Sequence, residues 1–173
     1  MTLFKNINAE LKERAKKVKL VISDSDGVLT DTGVYYSERG EEMKRFSIRD
    51  GMGVERLRNI CGIESAIITG ELSGSVKKRA EKLGIEELHL GIKDKKKTLD
   101  EIIERRKISL ENVAYIGDDT NDIEVLKSVG LSACPADGVI QIKMIVNYIT
   151  ESKGGNGAFR DLAELIIAAN SEY

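Results

Sequence analysis

Five short aliphatic runs punctuate the chain: KLVIS (19–23), SAIIT (65–69), ELHL (87–90), VAYIG (113–117) and LSAC (131–134). Each has the length of a buried strand. The stretches around them carry apolar residues at three- and four-residue spacing, as Leu99, Ile102 and Ile103 do, which predicts helices over 50–61, 72–83, 95–106, 121–129 and 138–147. Strands that alternate with helices in this way are buried on both faces only in a parallel sheet with helices on either side. The expected architecture is therefore α/β, a doubly wound parallel sheet. Such a sheet holds its ligand outside the carboxyl ends of its strands.

Between the first two runs the alternation breaks. TGVYYSERGEEMKRFS holds two β-prone pieces around Ser37–Glu42 with Gly40 in the turn, which reads as a protruding β-hairpin. At the ends, residues 3–15 put Leu3, Phe4, Ile7 and Leu11 on one helical face, and 158–169 closes on the apolar LAELIIAA. KGGNG (153–157) precedes that last helix and reads as a glycine-rich hinge. No repeat, low-complexity tract or linker divides the 173 residues, so 1–173 is expected to be a single domain.

Composition narrows the partners. With 27 basic and 29 acidic residues the net charge is -2, which leaves no basic footprint for nucleic acid or an anionic membrane. No stretch approaches the roughly 18 apolar residues of a membrane span, and charges interrupt MTLFKNINAELKERAKK, so a soluble, cytoplasmic protein is expected. Cys61 and Cys134 stand among apolar neighbours outside any C-x-x-C pair and read as buried, inert thiols. His89, the only histidine, lacks a Ser or Cys partner and reads as a strand residue.

Polar elements fall at the ends of the strands. Asp24 and Asp26 follow the first run in VISDSDGVLTD, and Gly27 permits the sharp turn that aims both carboxylates at one point. One can attack while the other handles protons, although such a pair alone is equally a polar turn. Thr69-Gly70 closes the second run directly before a helix, where a hydroxyl and free backbone N–H groups suit a phosphate oxygen; Thr is also a routine helix cap. Lys93, Lys95, Lys96 and Lys97 crowd the start of a helix against the dipole preference. One of them is expected to have a task, such as neutralising a nucleophile together with a transferring phosphoryl group, while the rest read as a solvated face. GDDTND (117–122) gathers Asp118, Asp119, Asn121 and Asp122, the oxygen-rich set that a hard cation such as Mg2+ prefers. Asp118, nearest the strand, is the first choice as ligand, with Asp122 orienting its neighbours.

A D-x-D pair, a hydroxyl, a lysine and an acidic cluster, in that order, resemble the haloacid dehalogenase-like (HAD) phosphatase superfamily over about residues 18 to 160. The resemblance implies a magnesium-dependent phosphatase with a HAD-like Rossmannoid sheet. It implies Asp24 as nucleophile, Asp26 as general acid and base, Thr69 and Lys95 as partners of phosphate and nucleophile, and Asp118 as a Mg2+ ligand together with Asp24 and the backbone carbonyl of Asp26. Two displacements follow: Asp24 attacks phosphorus while Asp26 protonates the leaving alkoxide, then Asp26 takes a proton from the water that hydrolyses the phosphoaspartate.

The spacings from Asp24 to Thr69 and from Thr69 to Lys95 leave room for a hairpin and one helix, so no cap domain is expected. DGVLTD, FSIRDGMG (46–53), ITGE, GDDTND and KGGNGAFR resemble the capless branch that acts on 3-deoxy-2-keto sugar acid phosphates, such as 3-deoxy-D-manno-octulosonate (KDO) 8-phosphate, a lipopolysaccharide precursor. Ser25 departs from the Val or Ile usual there. The branch implies a small sugar phosphate as partner and a homotetramer that meets through the hairpins, a neighbour covering each open site. It also implies a mobile C-terminal segment, here GGNGAFR, that reaches into a neighbouring site. On the same resemblance Ser47, Ile48, Arg49, Asp50 and Gly51 line the substrate side of the loop after the hairpin, and Asp26, Thr69, Gly70 and Lys95 contact substrate. Glu71 stands where the 8-phosphate members place Arg. With Arg79 and Lys82, three apart on one helix face and able to meet one carboxylate, it points to the nine-carbon relatives that act on 3-deoxy-nonulosonate or sialic acid 9-phosphates.

Two rivals have other roles. A catalytically silent domain of this fold serves oligomerisation in the C-terminal parts of some acylneuraminate cytidylyltransferases, but Asp24, Asp26, Thr69, Lys95 and Asp118 are all intact here. A receiver-type signalling domain carries its acceptor aspartate on the third strand, whereas the pair here follows the first.

Overall fold

A computed structural model describes residues 8–171. Leu3, Phe4 and Ile7 lie outside the described residues. Helix α1 (Ala9–Lys16) starts at Asn8, whose side chain accepts from the Leu11 amide at 2.7 Å. Then follow β1 (Leu20–Ser23), the hairpin β2 (Thr30–Ser37) and β3 (Gly40–Phe46), and α2 (Ile48–Arg56), which widens into a π-turn over Leu57–Cys61. The rest alternates: β4 (Glu64–Ile68), α3 (Gly74–Leu83), β5 (Glu87–His89), α4 (Lys95–Arg106), β6 (Val113–Ile116), α5 (Ile123–Ser128), β7 (Leu131–Cys134), α6 (Ile140–Lys143), β8 (Tyr148–Ile149) and α7 (Ala158–Asn170).

The main sheet is parallel throughout, in the order β5-β4-β1-β6-β7-β8. Successive side chains point to opposite faces. Val21, Ile67, Ala114 and Ile116 join one core with residues of α1, α2, α3 and α7. Leu20, Ile22, Ala66, Ile68 and Tyr115 join another with residues of α4, α5 and α6. Both faces are thus covered, as the aliphatic runs require. Strand β8 was not foreseen, because its two residues follow a stretch that reads as helix. The helix stops early where Asn147 is clamped to β7, its side-chain oxygen accepting from the Ser132 amide at 2.9 Å and from the Ser132 hydroxyl at 3.0 Å.

The hairpin forms its own two-stranded sheet, interrupted by register shifts, with Val34, Tyr35, Tyr36 and Met43 exposed. Its turn falls at Glu38 and Arg39, and Gly40 opens β3 at φ +105°. Among the described residues no cap domain stands beside the sheet, and no helix is long and apolar enough to cross a membrane. Cys134 is buried but Cys61 only half so, and burial pushes both thiols up, Cys134 to about 11.

KGGNG, expected as a hinge, is packed against the rest of the chain. The Gly154 amide donates to Asp137 at 2.9 Å and the Gly155 amide to the Val28 carbonyl at 2.8 Å, and both glycines are buried. Helix α7 follows at once and buries Phe159, Leu162, Leu165 and Ile166 in this chain's own core. Glycine here permits close backbone packing where the sequence suggested looseness.

Candidate active site

Strands β1 and β6 are neighbours whose outgoing connections run to opposite ends of the sheet, so a crevice opens at their carboxyl ends. Asp24 follows β1 directly, its amide donating to Ile116 of β6 at 3.0 Å. The chain then turns sharply, the Leu29 and Thr30 amides both donating to the Ser25 carbonyl, at 2.9 and 3.1 Å. Gly27 makes the turn at φ +77°, and a Cβ there would lie 2.0 Å from an Asp118 carboxylate oxygen. Both facts demand glycine.

Lys95 is the lysine with a task. It is the first residue of α4 yet only 4% exposed, and Nζ stands 2.7 Å from Asp24 Oδ2 and 2.8 Å from Asp122 Oδ1. The helix end is served by Asp94, whose side chain accepts from the Lys97 amide at 2.9 Å, so the cation is free to serve the crevice. Asp122 is fully engaged: Tyr115 Oη donates to Oδ1 at 2.6 Å and the Asp118 amide to Oδ2 at 3.2 Å. Tyr115, missed in the sequence as one more strand residue, thereby fixes the residue that fixes Lys95.

The carboxylates crowd one another. Burial and the nearby charge of Asp122 push Asp24 up against the pull of Lys95, and burial with the charges of Asp24 and Asp122 lifts Asp118 to about 8. Burial works against the charge of Lys95, but Asp24 and Asp122 more than offset it, so its pKa is raised. Asp24, Asp118 and Asp122 each bring an oxygen within 4.8 Å of the others, and one ammonium does not balance three carboxylates. Hard oxygen donors with surplus negative charge suit Mg2+. Asp122 is fully buried and does not reach the cleft above the cluster, so Asp24 and Asp118, which line it, are the side chains that can hold the ion, and no hydrogen bond among the described residues occupies the Asp26 backbone carbonyl.

A cleft of about 260 Å³ opens above this cluster, lined by Asp24, Asp26, Thr69, Gly70, Glu71 and Asp118 with Thr32, Asp119 and Asn121. Thr32 holds φ +66°, an unusual value for a β-branched residue. Thr69 is buried, its amide bonded to the His89 carbonyl at 3.0 Å and its hydroxyl accepting from the Glu71 amide at 3.4 Å. The expected helix N-terminus beside it is absent: α3 starts at Gly74, capped by Ser73, so Gly70 and Glu71 line the cleft from a loop. Asp26 is held from the hairpin by Lys44, which sequence reasoning missed, with Nζ 2.7 and 2.9 Å from its two oxygens. The hydrogen bonds and charges of Asp26 and Glu41 outweigh the burial that lowers the Lys44 pKa and raise it.

The other predicted substrate residues lie outside the cleft of one chain. Ser47 caps α2, accepting from the Arg49 amide at 3.1 Å, and its carbonyl accepts from Arg79 Nη2 at 2.8 Å. Arg79 is thus committed, lies 5.8 Å over the Phe46 ring, and packs where a side chain on Gly51 would go. Ile48, 81% exposed, and Arg49 face solvent, as does Lys82 on α3. Asp50 is buried and accepts from the amides of Gly157 at 3.2 Å and Arg160 at 3.0 Å, an anion at the start of α7 where the helix favours one. His89 pairs with Glu87 at 2.6 Å, in keeping with a strand residue.

Residues 61–161 match the haloacid dehalogenase-like hydrolase family. The 3-deoxy-D-manno-octulosonate 8-phosphate phosphatase KdsC of Escherichia coli is 37% identical over 171 residues, 99% of this chain and 90% of that protein. The crystal structure of the phosphatase of that name from Yersinia pestis superposes with a TM-score of 0.92 at 38% identity, covering 95% of this chain and 88% of the other. That from Moraxella catarrhalis, solved with magnesium, phosphate and KDO, gives 0.89 at 39% identity, covering 92% and 91%. With the parallel sheet, the hairpin, the missing cap and the aspartate cluster all in agreement, the chain belongs to the haloacid dehalogenase-like hydrolase family, among its phosphatases.

Proposed function

We propose that this protein hydrolyses the phosphate ester of a 3-deoxy-2-keto sugar acid through a phosphoaspartate on Asp24. The observation that carries the reading is the buried Asp24–Lys95–Asp122 chain at the floor of a cleft that Asp118 and Asp26 also line. Lys95 holds Asp24 by one oxygen, and the Ser25 amide holds the other at 2.6 Å, so the nucleophile is oriented before substrate arrives. Asp26 gives a proton to the leaving alkoxide and takes one from the attacking water. Thr69 and the Gly70 loop receive phosphate oxygens. Magnesium, held by Asp24, Asp118 and the Asp26 carbonyl, supplies charge compensation between an anionic nucleophile and an anionic ester. The intact cluster disfavours a silent oligomerisation domain.

The KdsC relatives support the eight-carbon 8-phosphate as one substrate. Glu71 supports the nine-carbon nonulosonate or sialic acid 9-phosphate, since an exposed carboxylate at the mouth accepts hydrogen bonds from extra hydroxyls and repels a close substrate carboxylate. Arg79 and Lys82 do not line the cleft of one chain. A cleft of about 260 Å³ is smaller than sites that enclose a whole small molecule, so the sugar extends beyond it. The exposed Tyr35, Tyr36 and Met43 of the hairpin support a homotetramer in which a neighbour covers that opening. A soluble sugar phosphate suits a cytoplasmic enzyme.

Purified protein with Mg2+ should release phosphate from both sugar acid phosphates, and an acid quench during turnover should trap phosphate on Asp24. Asp24→Asn should do neither. Wild-type turnover by Asp24→Asn would overturn the mechanism, and no turnover of either sugar acid phosphate would overturn the substrate class.

A further inference from the structure

Asp26 does not stand free in the cleft. Lys44 reaches it from β3 with Nζ at 2.7 Å from Oδ1 and 2.9 Å from Oδ2, and the lysine side chain is only 1% exposed. On its other side Lys44 meets Glu41 Oε2 at 3.3 Å, and the second oxygen of Glu41 accepts from Ser73 Oγ, the cap of α3. Thr30 Oγ1 adds a longer contact to Asp26 at 3.4 Å. The next residue, Arg45, binds Asp31 at 2.6 Å and the Gly155 carbonyl at 3.0 Å, which ties β3 to the segment before α7. A carboxylate gripped at both oxygens by a buried lysine has few orientations left, and the hairpin chooses which one.

We propose that Lys44 is a positioning residue: it holds the Asp26 carboxyl group where it meets the leaving oxygen and then the attacking water, and the Glu41–Ser73 contact braces it against α3. Buried as it is, Lys44 touches no substrate, and it gains and loses no proton in the cycle. Asp26 gives its proton to the ester oxygen as the P–O bond breaks and regains one from water as that oxygen bonds to phosphorus. The proposal rests on the acid–base reading of Asp26.

The test compares kcat/KM for KDO 8-phosphate, an alkyl ester whose leaving group needs a proton, with kcat/KM for p-nitrophenyl phosphate, whose leaving group does not. The ratio of the two in one preparation is independent of the fraction folded. General acid catalysis is worth about 10²–10⁴-fold. Lys44→Met should therefore lower the alkyl-to-aryl ratio by about 10–100-fold, with Asp26→Asn moving it the same way and further, and Lys44→Arg restoring part of it. A slower water-activating step should also make trapped phosphoenzyme accumulate in Lys44→Met. If Asp26→Asn moves the ratio and Lys44→Met does not, the positioning role falls alone. If neither moves it, the acid–base reading falls and takes this proposal with it.

Discussion

Gly154 is where the segment before α7 touches the nucleophile loop, and adding one methyl group there tests how the two are coupled. A Cβ at Gly154 would lie 1.9 Å from the Gly27 carbonyl oxygen and 3.1 Å from that of Thr30. Gly154 is not among the positive-φ glycines, so Gly154→Ala adds a contact without a dihedral penalty. Real Cβ contacts do not fall below 3.0 Å, so the two backbones must part by about 1 Å. Neither has an easy retreat. Gly27 already packs against the Asp118 carboxylate, and Gly155 is bonded to Val28 at 2.8 Å. Overpacking of this kind costs about 1–3 kcal/mol, and misplacing a reacting group by about 1 Å can cost about 100-fold in rate. Gly154→Ala should lower the urea unfolding free energy by that amount and kcat by about 100-fold. Gly74→Ala is the control, since nothing lies within 4 Å of its Cβ and it opens a helix; it should be neutral or stabilising by up to about 1 kcal/mol. A Gly154→Ala protein as stable as wild type with kcat within about threefold would refute the reasoning, as would an equal loss in Gly74→Ala.

Three further outcomes are expected. The Ser25 hydroxyl is buried without a partner among the described residues, so Ser25→Ala should stabilise by about 1 kcal/mol in urea titrations; a loss of that size would show that the hydroxyl is paired. Burial raises Asp50 from the ordinary carboxylate range to about 6, so its protonated form is favoured by folding, a contribution complete below about pH 4 and lost as pH rises through 6. The stability of wild type relative to Asp50→Asn should therefore fall by up to about 3 kcal/mol between pH 4 and 7, and a flat or rising difference would contradict it. Glu71→Arg should shift the ratio of kcat/KM values toward the eight-carbon 8-phosphate and away from the nine-carbon 9-phosphate by about one to two orders of magnitude, the worth of one charged contact; an unchanged ratio would remove Glu71 from substrate choice.

The site was legible where topology alone brings residues together. Asp24, Thr69 and Asp118 each follow a strand of one parallel sheet, so the alternation that reveals the strands also brings these residues to one edge. The dipole conflict at a helix start drew notice to Lys93, Lys95, Lys96 and Lys97 together, and only the family resemblance picked Lys95 among them, because the tertiary partner that resolves the conflict is not visible in the pattern. Lys44 offered no such conflict. A lysine in an exposed hairpin is ordinary, and its inward direction depends on a register that shifts between Tyr35 and Tyr36, which pattern reasoning does not supply. Asp50 and Arg79 failed the other way: the expected loop over 47–51 is the cap and first turn of α2, so each is a charge on a helix, and each is consumed by backbone groups, Asp50 at the α7 amides and Arg79 at the Ser47 carbonyl.

The glycine-rich segment shows why local composition misleads in the same physical terms. A glycine without a side chain is free in a loop, but it is also the only residue that lets two backbones meet, and the sequence does not say which use applies until the opposing strand end is known. In this chain Gly27 and Gly154 answer each other: one turns beneath Asp118, the other closes behind it, and neither leaves room for a methyl group. The nucleophile loop is therefore backed by this chain's own C-terminal segment, and Arg45, bonded to Gly155 and to Asp31, extends that backing to the hairpin.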